Sequence, residues 1–223
     1  ANYEAVSTSG TISNSVVDDA DVTTLSLSAS ASVSEGGTIT YTASLTNPAE
    51  TAMSVTLSNG AVINIIAGAS SGNVSVAAPS DDVYIDAGSV SATIASSSGG
   101  NFESLTTNPA AAATTITDTI DTTSVTLSSA TAGSNVTEGG SIVYTATVDH
   151  LVTGTPLVVT LSNGQTITIP VGALSADSAP FNVRADDAYV DANDNLSVTI
   201  TGTSGANYEA VSTSGTISNS VVD

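Results

Sequence analysis

Residues 1–18, ANYEAVSTSGTISNSVVD, recur unchanged at 206–223, and a looser echo links the two halves of this 223-residue chain. EGGTITYTASL (35–45) answers EGGSIVYTATV (138–148), VTLSNG (55–60) answers VTLSNG (159–164), and DDVYIDAG (81–88) answers DDAYVDAN (186–193). The offset drifts only from 103 (Glu35 to Glu138) to 105 (Asp81 to Asp186). A period near 100 exceeds the 20–50 residues of solenoid or propeller units, so each repeat is expected to fold as its own domain. The chain reads as a slice of a longer tandem array.

The Asp-rich punctuation at 18–21 and 118–121 sets the expected boundaries. Residues 1–20 are expected to be the C-terminal strand or strands of a preceding repeat plus a linker. Repeat one then spans 21–118 and repeat two 119–223. Periodicity alone leaves the phase open, since a permuted register would place 1–18 inside the first domain and leave 206–223 without one.

Apolar content comes from Val, Ile, Ala and Leu interleaved with Thr and Ser, with 4% aromatics and no Trp. β-branched residues suit a pleated surface better than a helix. Alternation is clearest at 38–45, 62–66, 73–77 and 89–95, and again at 141–148, 166–170, 180–184 and 195–201. Asn59-Gly60 and Asn163-Gly164 are hairpin turn signals, because both residue types tolerate positive φ. The run AAAATT (110–115) matches the last strand of the other repeat and is read as strand. About seven short strands per 100 residues is the arithmetic of an immunoglobulin-like sandwich. The expected fold is all-β: two tandem immunoglobulin-like Greek-key β-sandwiches arranged end to end.

Charge narrows the function. There are 21 Asp and Glu against a single basic residue, Arg184, for a net charge of -20. Phosphate binding needs a basic surface, so nucleic acid is excluded as a partner. No apolar run is long enough to span a bilayer, so no membrane insertion is expected. Cysteine is absent, and no disulfide stiffens the repeats.

All carboxylates except Glu50, Asp149 and Asp177 fall in turns or linkers that recur between repeats. In a seven-stranded sandwich successive loops go to opposite poles. The loop after the first strand carries Glu35, or Glu138 in the second repeat. The loop between the fifth and sixth strands lands at the same pole, with Asp81, Asp82 and Asp86, or Asp186, Asp187, Asp191 and Asp194. The chain leaves that pole through Asp118 and Asp121. At the near pole of the next repeat stand Asn207 and Glu209; Asn101 and Glu103 take the same place beside Asp18, Asp19 and Asp21. Five or more oxygen ligands are thus expected at each joint.

Clustered carboxylates without Lys or Arg raise one another's pKa, and a hard dication removes the conflict. Calcium takes 6–8 oxygens in flexible geometry, whereas magnesium keeps its waters and zinc wants His or Cys. Several Ca2+ ions are therefore expected at the joints and acidic loops. The competing reading is a solvated acidic loop that keeps the protein soluble. DANDN (191–195) mimics the start of an EF-hand, but Leu196 stands at the required glycine and Gly202 at the bidentate glutamate, which rules that out. His150 lacks a nucleophile with a matched base and reads as an exposed loop residue. Tyr41 and Tyr144 read as core.

VSEGGTITYTASL, VTLSNGAVINI, DDVYIDAGSVSATI and GGNFESLTTNPAAAATTITDTID together resemble the immunoglobulin-like extender repeats of giant RTX-type bacterial adhesins, which include biofilm adhesins and an ice-binding adhesin. The resemblance covers both repeats. It implies sandwich modules that fold and stiffen on calcium, hold an adhesive tip away from the bacterial surface, and leave the cell by a type I system. It implies Glu35, Asp82, Asp86, Asp118 and Asp121 as ligands, with Glu138, Asp187, Asp191 and Glu209 in the second repeat. Arg184, two residues before the second acidic loop, departs from the pattern and would weaken a site there.

The expected function is a non-enzymatic, calcium-rigidified extender, a monomeric rod whose partners are neighbouring repeats and which takes no small-molecule substrate. An immunoglobulin-like module gripping carbohydrate or a surface protein would need an exposed aromatic or apolar patch, and the scarcity of aromatics disfavours it. A carboxylate-dependent hydrolase would show a pocket in one repeat only.

Overall fold

The computed structural model describes Glu4 and residues 9–17, 19–86 and 88–223. Among them every regular element is a strand, and no helix is long and apolar enough to cross a membrane. The earlier strands are β1 (Val22–Ala29), β2 (Ser32–Ser34), β3 (Thr38–Leu45), β4 (Met53–Leu57), β5 (Val62–Ile65), β6 (Ser71–Ala77), β7 (Gly88–Ala92), β8 (Ile94–Gly99), β9 (Ser104–Thr107) and β10 (Ala112–Thr117). The later ones are β11 (Thr122–Ser128), β12 (Asn135–Thr137), β13 (Ser141–Ile142), β14 (Thr145–Val148), β15 (Leu157–Leu161), β16 (Thr166–Ile169), β17 (Ser175–Asp177), β18 (Phe181–Asn182), β19 (Asp194–Ser204), β20 (Ala210–Ser214) and β21 (Thr216–Val222).

The chain divides into two compact units. The first comprises 1–31, 39–76 and 91–114; the second comprises 32–38, 77–90 and 115–223. Within the first unit, β6-β3-β1-β9 forms one sheet and β5-β4-β8 another. Period-two alternation does the sorting: β3 buries Ile39, Tyr41, Ala43 and Leu45 while its threonines and serines face out. Met53, Val55, Leu57, Ile63 and Ile65 complete that core from β4 and β5.

The second unit stacks β17-β14-β11-β20 against β12-β21-β19-β15-β16, with the short pair β13-β18 beside them. Its core joins Val125, Leu127, Ile142, Tyr144, Leu157, Val159, Ile167 and Ile169. Two parallel pairings mark the unit: β11 with β20 (Thr122↔Ala210) and β12 with β21 (Asn135↔Ser220). Residues of β2 and β10 pair in the same parallel sense, Ser32 with Thr115. The all-β, immunoglobulin-like expectation holds.

Several expected strands are shorter or broken, each for a local reason. The run 141–148 breaks at Val143 and Tyr144, where the Tyr144 N–H donates to the Ser178 hydroxyl instead of a ladder carbonyl. The run 180–184 shrinks to β18, since Pro180 has no N–H to give. The run 89–95 is interrupted at Thr93, which bonds Ser58 through both its N–H and its carbonyl beside a register shift in β4. At both Asn-Gly turns only the glycine has positive φ, +85° at Gly60 and +84° at Gly164. The asparagines act through their side chains instead, accepting from Ala61 and Gln165 N–H groups at 3.1 Å.

Residues 9–17 carry no strand, and Ile12, Val16 and Val17 are exposed. The same nine residues at 214–222 end β20 and form β21, with Ile217, Asn219 and Val221 buried. Asp18 lies outside the described residues.

Candidate metal centre

The first acidic pole is built by backbone geometry. Parallel pairing of β2 with β10 continues one residue beyond the strands, the Glu35 N–H donating to the Thr117 carbonyl at 3.1 Å. That bond sets Glu35 beside Asp118. The chain then turns on two glycines. Gly36 has φ +65°, and a Cβ on Gly37 would stand 2.8 Å from the Ser34 carbonyl oxygen. The Gly36 N–H donates to the Pro79 carbonyl at 2.7 Å, which draws the 79–86 loop alongside.

That loop is fastened by contacts the sequence did not signal. Asp81 accepts the Thr119 hydroxyl, and Asp82 accepts the Tyr84 N–H at 2.8 Å. The Tyr84 ring stacks on Tyr208 with centroids 5.7 Å apart, and its hydroxyl donates to the Leu151 carbonyl at 2.9 Å. Ile85 and Asn207 exchange two bonds: Ile85 N–H to the Asn207 carbonyl at 3.0 Å, and Asn207 Nδ2 to the Ile85 carbonyl at 2.9 Å. The Glu209 N–H donates to the Val83 carbonyl at 3.1 Å, so this short bridge delivers Glu209 to the pole. All these residues belong to the second compact unit.

Carboxylate oxygens of Glu35, Asp118 and Glu209 lie within 4.8 Å of one another, the one such trio among the described residues. Glu35 is 6% exposed and the other two are half-buried. Glu35 Oε2, Asp118 Oδ1 and Glu209 Oε1 are buried without a hydrogen-bond partner. A hydrogen bond shared with Asp86, burial, and the charges of Asp86 and Asp118 push Glu35 up to about 7. The Asp121 N–H, donating to Glu209 at 2.5 Å, pulls that carboxyl down, but burial and Asp118 outweigh it and its pKa is raised. Two oxygens on opposite sides of a calcium ion, each at 2.3–2.6 Å, stand about 5 Å apart, so the trio is of the right size and chemistry. Such a cation would satisfy oxygens that otherwise cost desolvation free energy unpaired.

The second pole repeats the backbone and changes the charge. Glu138 N–H donates to the Val222 carbonyl at 2.9 Å and Gly139 N–H to the Arg184 carbonyl at 2.8 Å, matching the first pole bond for bond. Asp187 accepts the Tyr189 N–H at 2.7 Å, as Asp82 does for Tyr84. Here, however, Arg184 Nε donates to Glu138 Oε2 at 2.9 Å, with Asp191 at 3.7 Å and Asp194 at 3.3 Å. The guanidinium holds the Glu138 carboxyl below its ordinary value, while a hydrogen bond with Glu138 raises Asp223. Asp186 sits against Gly139. Tyr189 and Val190, the counterparts of Tyr84 and Ile85, are exposed.

Near the start of the first repeat, Asp21 N–H donates to Glu103 Oε2 at 2.7 Å, the counterpart of Asp121 and Glu209. Asn101, at φ +55°, gives its amide to Glu50, and Asp19 is exposed. His150 pairs with Asp149 at 2.9 Å, and Asp149 accepts the Ser124 N–H at 3.0 Å. His150 also lies 3.5 Å from the Thr123 hydroxyl, where Asn47 reaches Thr23 in the first repeat at 3.0 Å. Tyr41 and Tyr144 are fully buried in their cores.

The family model described as LapA domain matches residues 21–119 and again 121–223. No curated protein matches the chain. Among solved structures it is similar to the fibronectin(III)-like modules of Clostridium thermocellum CbhA, at 12% identity and a TM-score of 0.25, over 89% of this chain and 93% of that one.

Proposed function

Because the chain belongs to the LapA domain family across both matched spans, we propose that it is a calcium-rigidified extender of a large bacterial adhesin, exported by a type I system. It is an adhesin-associated, immunoglobulin-like tandem module of a cell-surface or extracellular protein. The observation that supports a calcium role is the trio of Glu35, Asp118 and Glu209, each with a buried oxygen lacking a partner. Glu35 and Asp118 come from the first matched span and Glu209 from the second. A cation held by all three would tie the second repeat to the acidic loops of the first. Neighbouring repeats are then the module's partners, and it serves as a spacer that stiffens with calcium.

The mechanism is linkage. Calcium that binds the folded pole and not the unfolded chain stabilises the fold by an amount that grows with the logarithm of its concentration. At about 100 times the dissociation constant this gives about 2.7 kcal/mol, or about 5–10 °C in melting temperature for a chain of this size. Thermal melting in calcium, in magnesium and in chelator tests it, with small-angle scattering on the same samples reporting stiffness. Calcium is expected to raise the melting temperature and narrow the distance distribution. A melting curve and scattering profile unmoved by chelator would overturn the reading.

A further inference from the structure

The two acidic poles superpose in their backbone bonds but not in their cations. Gly36 N–H bonds the Pro79 carbonyl, and Gly139 N–H bonds the Arg184 carbonyl, so Arg184 stands at the position of Pro79. It is the one Lys or Arg in the chain. Its side chain is 18% exposed and folds inward rather than into solvent. Nε donates to Glu138 Oε2 at 2.9 Å; Nη1 donates to the Ala192 carbonyl at 2.6 Å and to Asp194 Oδ2 at 3.3 Å. Glu138 is the counterpart of Glu35, and Asp191 the counterpart of Asp86. In the first pole Glu35 Oε2 is buried without a partner and its neighbours are carboxyls; in the second the equivalent carboxylate is engaged by a guanidinium.

We infer that Arg184 is the resident cation of the second acidic pole, its guanidinium holding Glu138, Asp191 and Asp194 where the first pole takes a divalent ion. This deepens, and rests on, the calcium reading of the first pole. A planar guanidinium offers five donors in a fixed fork and keeps its charge at any pH the fold survives. A dication on the same oxygens would have to displace those bonds and approach a like charge within a few ångströms. Metal and guanidinium are therefore alternatives at this pole. The consequence is a graded chain, in which one acidic pole responds to calcium and the other is closed at every calcium concentration.

The lone arginine makes the test direct. Its Nε–H is a single side-chain resonance in a proton–nitrogen correlation spectrum of the full chain. On titration with calcium that resonance is expected to keep its shift and its slow solvent exchange, while amides near Glu35 and Glu209 move. Flow dialysis then counts bound calcium in the parent chain, in Arg184→Gln, and in Arg184→Gln combined with Glu138→Gln, each first checked for cooperative melting. Arg184→Gln is expected to bind one more ion per chain, and the double variant to lose it again. An unchanged count in Arg184→Gln, or calcium displacing the Arg184 resonance in the parent chain, would overturn the inference. Glu35→Gln tests the first pole by itself: an unaltered calcium count in that variant would overturn calcium binding there, whatever Arg184→Gln does.

Discussion

The two poles start from the same backbone and arrive at different chemistry. In each, a strand pairs in parallel with the end of another, a Glu-Gly-Gly turn follows, and an aspartate-rich loop is drawn in by a glycine N–H. One pole then collects Glu35, Asp118 and Glu209 with unsatisfied oxygens; the other closes on Arg184. Pro79 gives way to Arg184, Ser89 gives way to Asp194, and Glu209 joins only the first pole. The lesson is that backbone hydrogen bonds decide where carboxylates gather, while the side chains beside them decide whether those carboxylates find a partner.

That contrast can be broken by experiment. The largest expected effect is on calcium dependence: Glu35→Ala removes most of the calcium-induced rise of about 5–10 °C in melting temperature. Glu138→Ala instead lowers the melting temperature equally in calcium and chelator, because it strips the guanidinium of its best-placed partner. Differential scanning calorimetry of both variants with and without chelator decides; equal loss of the calcium response in the two would erase the distinction. Next come the turn glycines. Gly37→Ala and Gly140→Ala each place a Cβ 2.8 Å from a backbone carbonyl, so each should cost about 1–3 kcal/mol by denaturant unfolding. Similar costs would confirm that the poles share a scaffold; an innocuous Gly140→Ala would show that they do not. Smaller still is Tyr84→Phe, which deletes the bond to Leu151 and should cost about 0.5–1.5 kcal/mol, while Tyr189→Phe, exposed at the other pole, should be silent.

The gentlest effect is the pH dependence in chelator. Glu35 sits at about 7 in the folded chain, above its ordinary carboxylate value of 4.5, so folding favours its protonated form. Its stabilising contribution is complete below about pH 4.5 and is lost as pH rises to about 7. Glu138 is lowered, so its contribution is present at neutral pH and fades on acidification. Melting temperature against pH should therefore fall toward neutrality in the parent chain, less so in Glu35→Gln, and calcium should reverse the trend by competing with the proton. An identical pH profile for Glu35→Gln would remove Glu35 as the cause.

Alternation and turn residues made the sandwich legible, since period-two burial in β3, β4 and β16 follows directly from residue order. What a segment's own sequence cannot decide is whether a partner strand is present. SGTISNSVV forms strand at 214–222, where β19 and β12 flank it, and none at 9–17. Ile217 and Val221 are buried there, while Ile12 and Val16 are exposed. Loop alternation made it readable that Glu35 and Asp118 share one pole of the first repeat, and that Glu209 stands at the near pole of the next. The Tyr84–Tyr208 stack, the Thr119 bond to Asp81 and the inward fold of Arg184 were not, because each depends on side-chain reach across more than 30 residues of sequence.

The parallel pairing of the two opening strands of the second repeat with its two closing strands has a mechanical consequence. β11 runs alongside β20 in five matched positions and β12 alongside β21 in three, so the outgoing chain ends point in opposite directions along the sheet. Tension applied through those ends slides the strands lengthwise, and every ladder bond bears load together instead of unzipping one at a time. Loaded in this direction, the unit yields abruptly and not by gradual peeling.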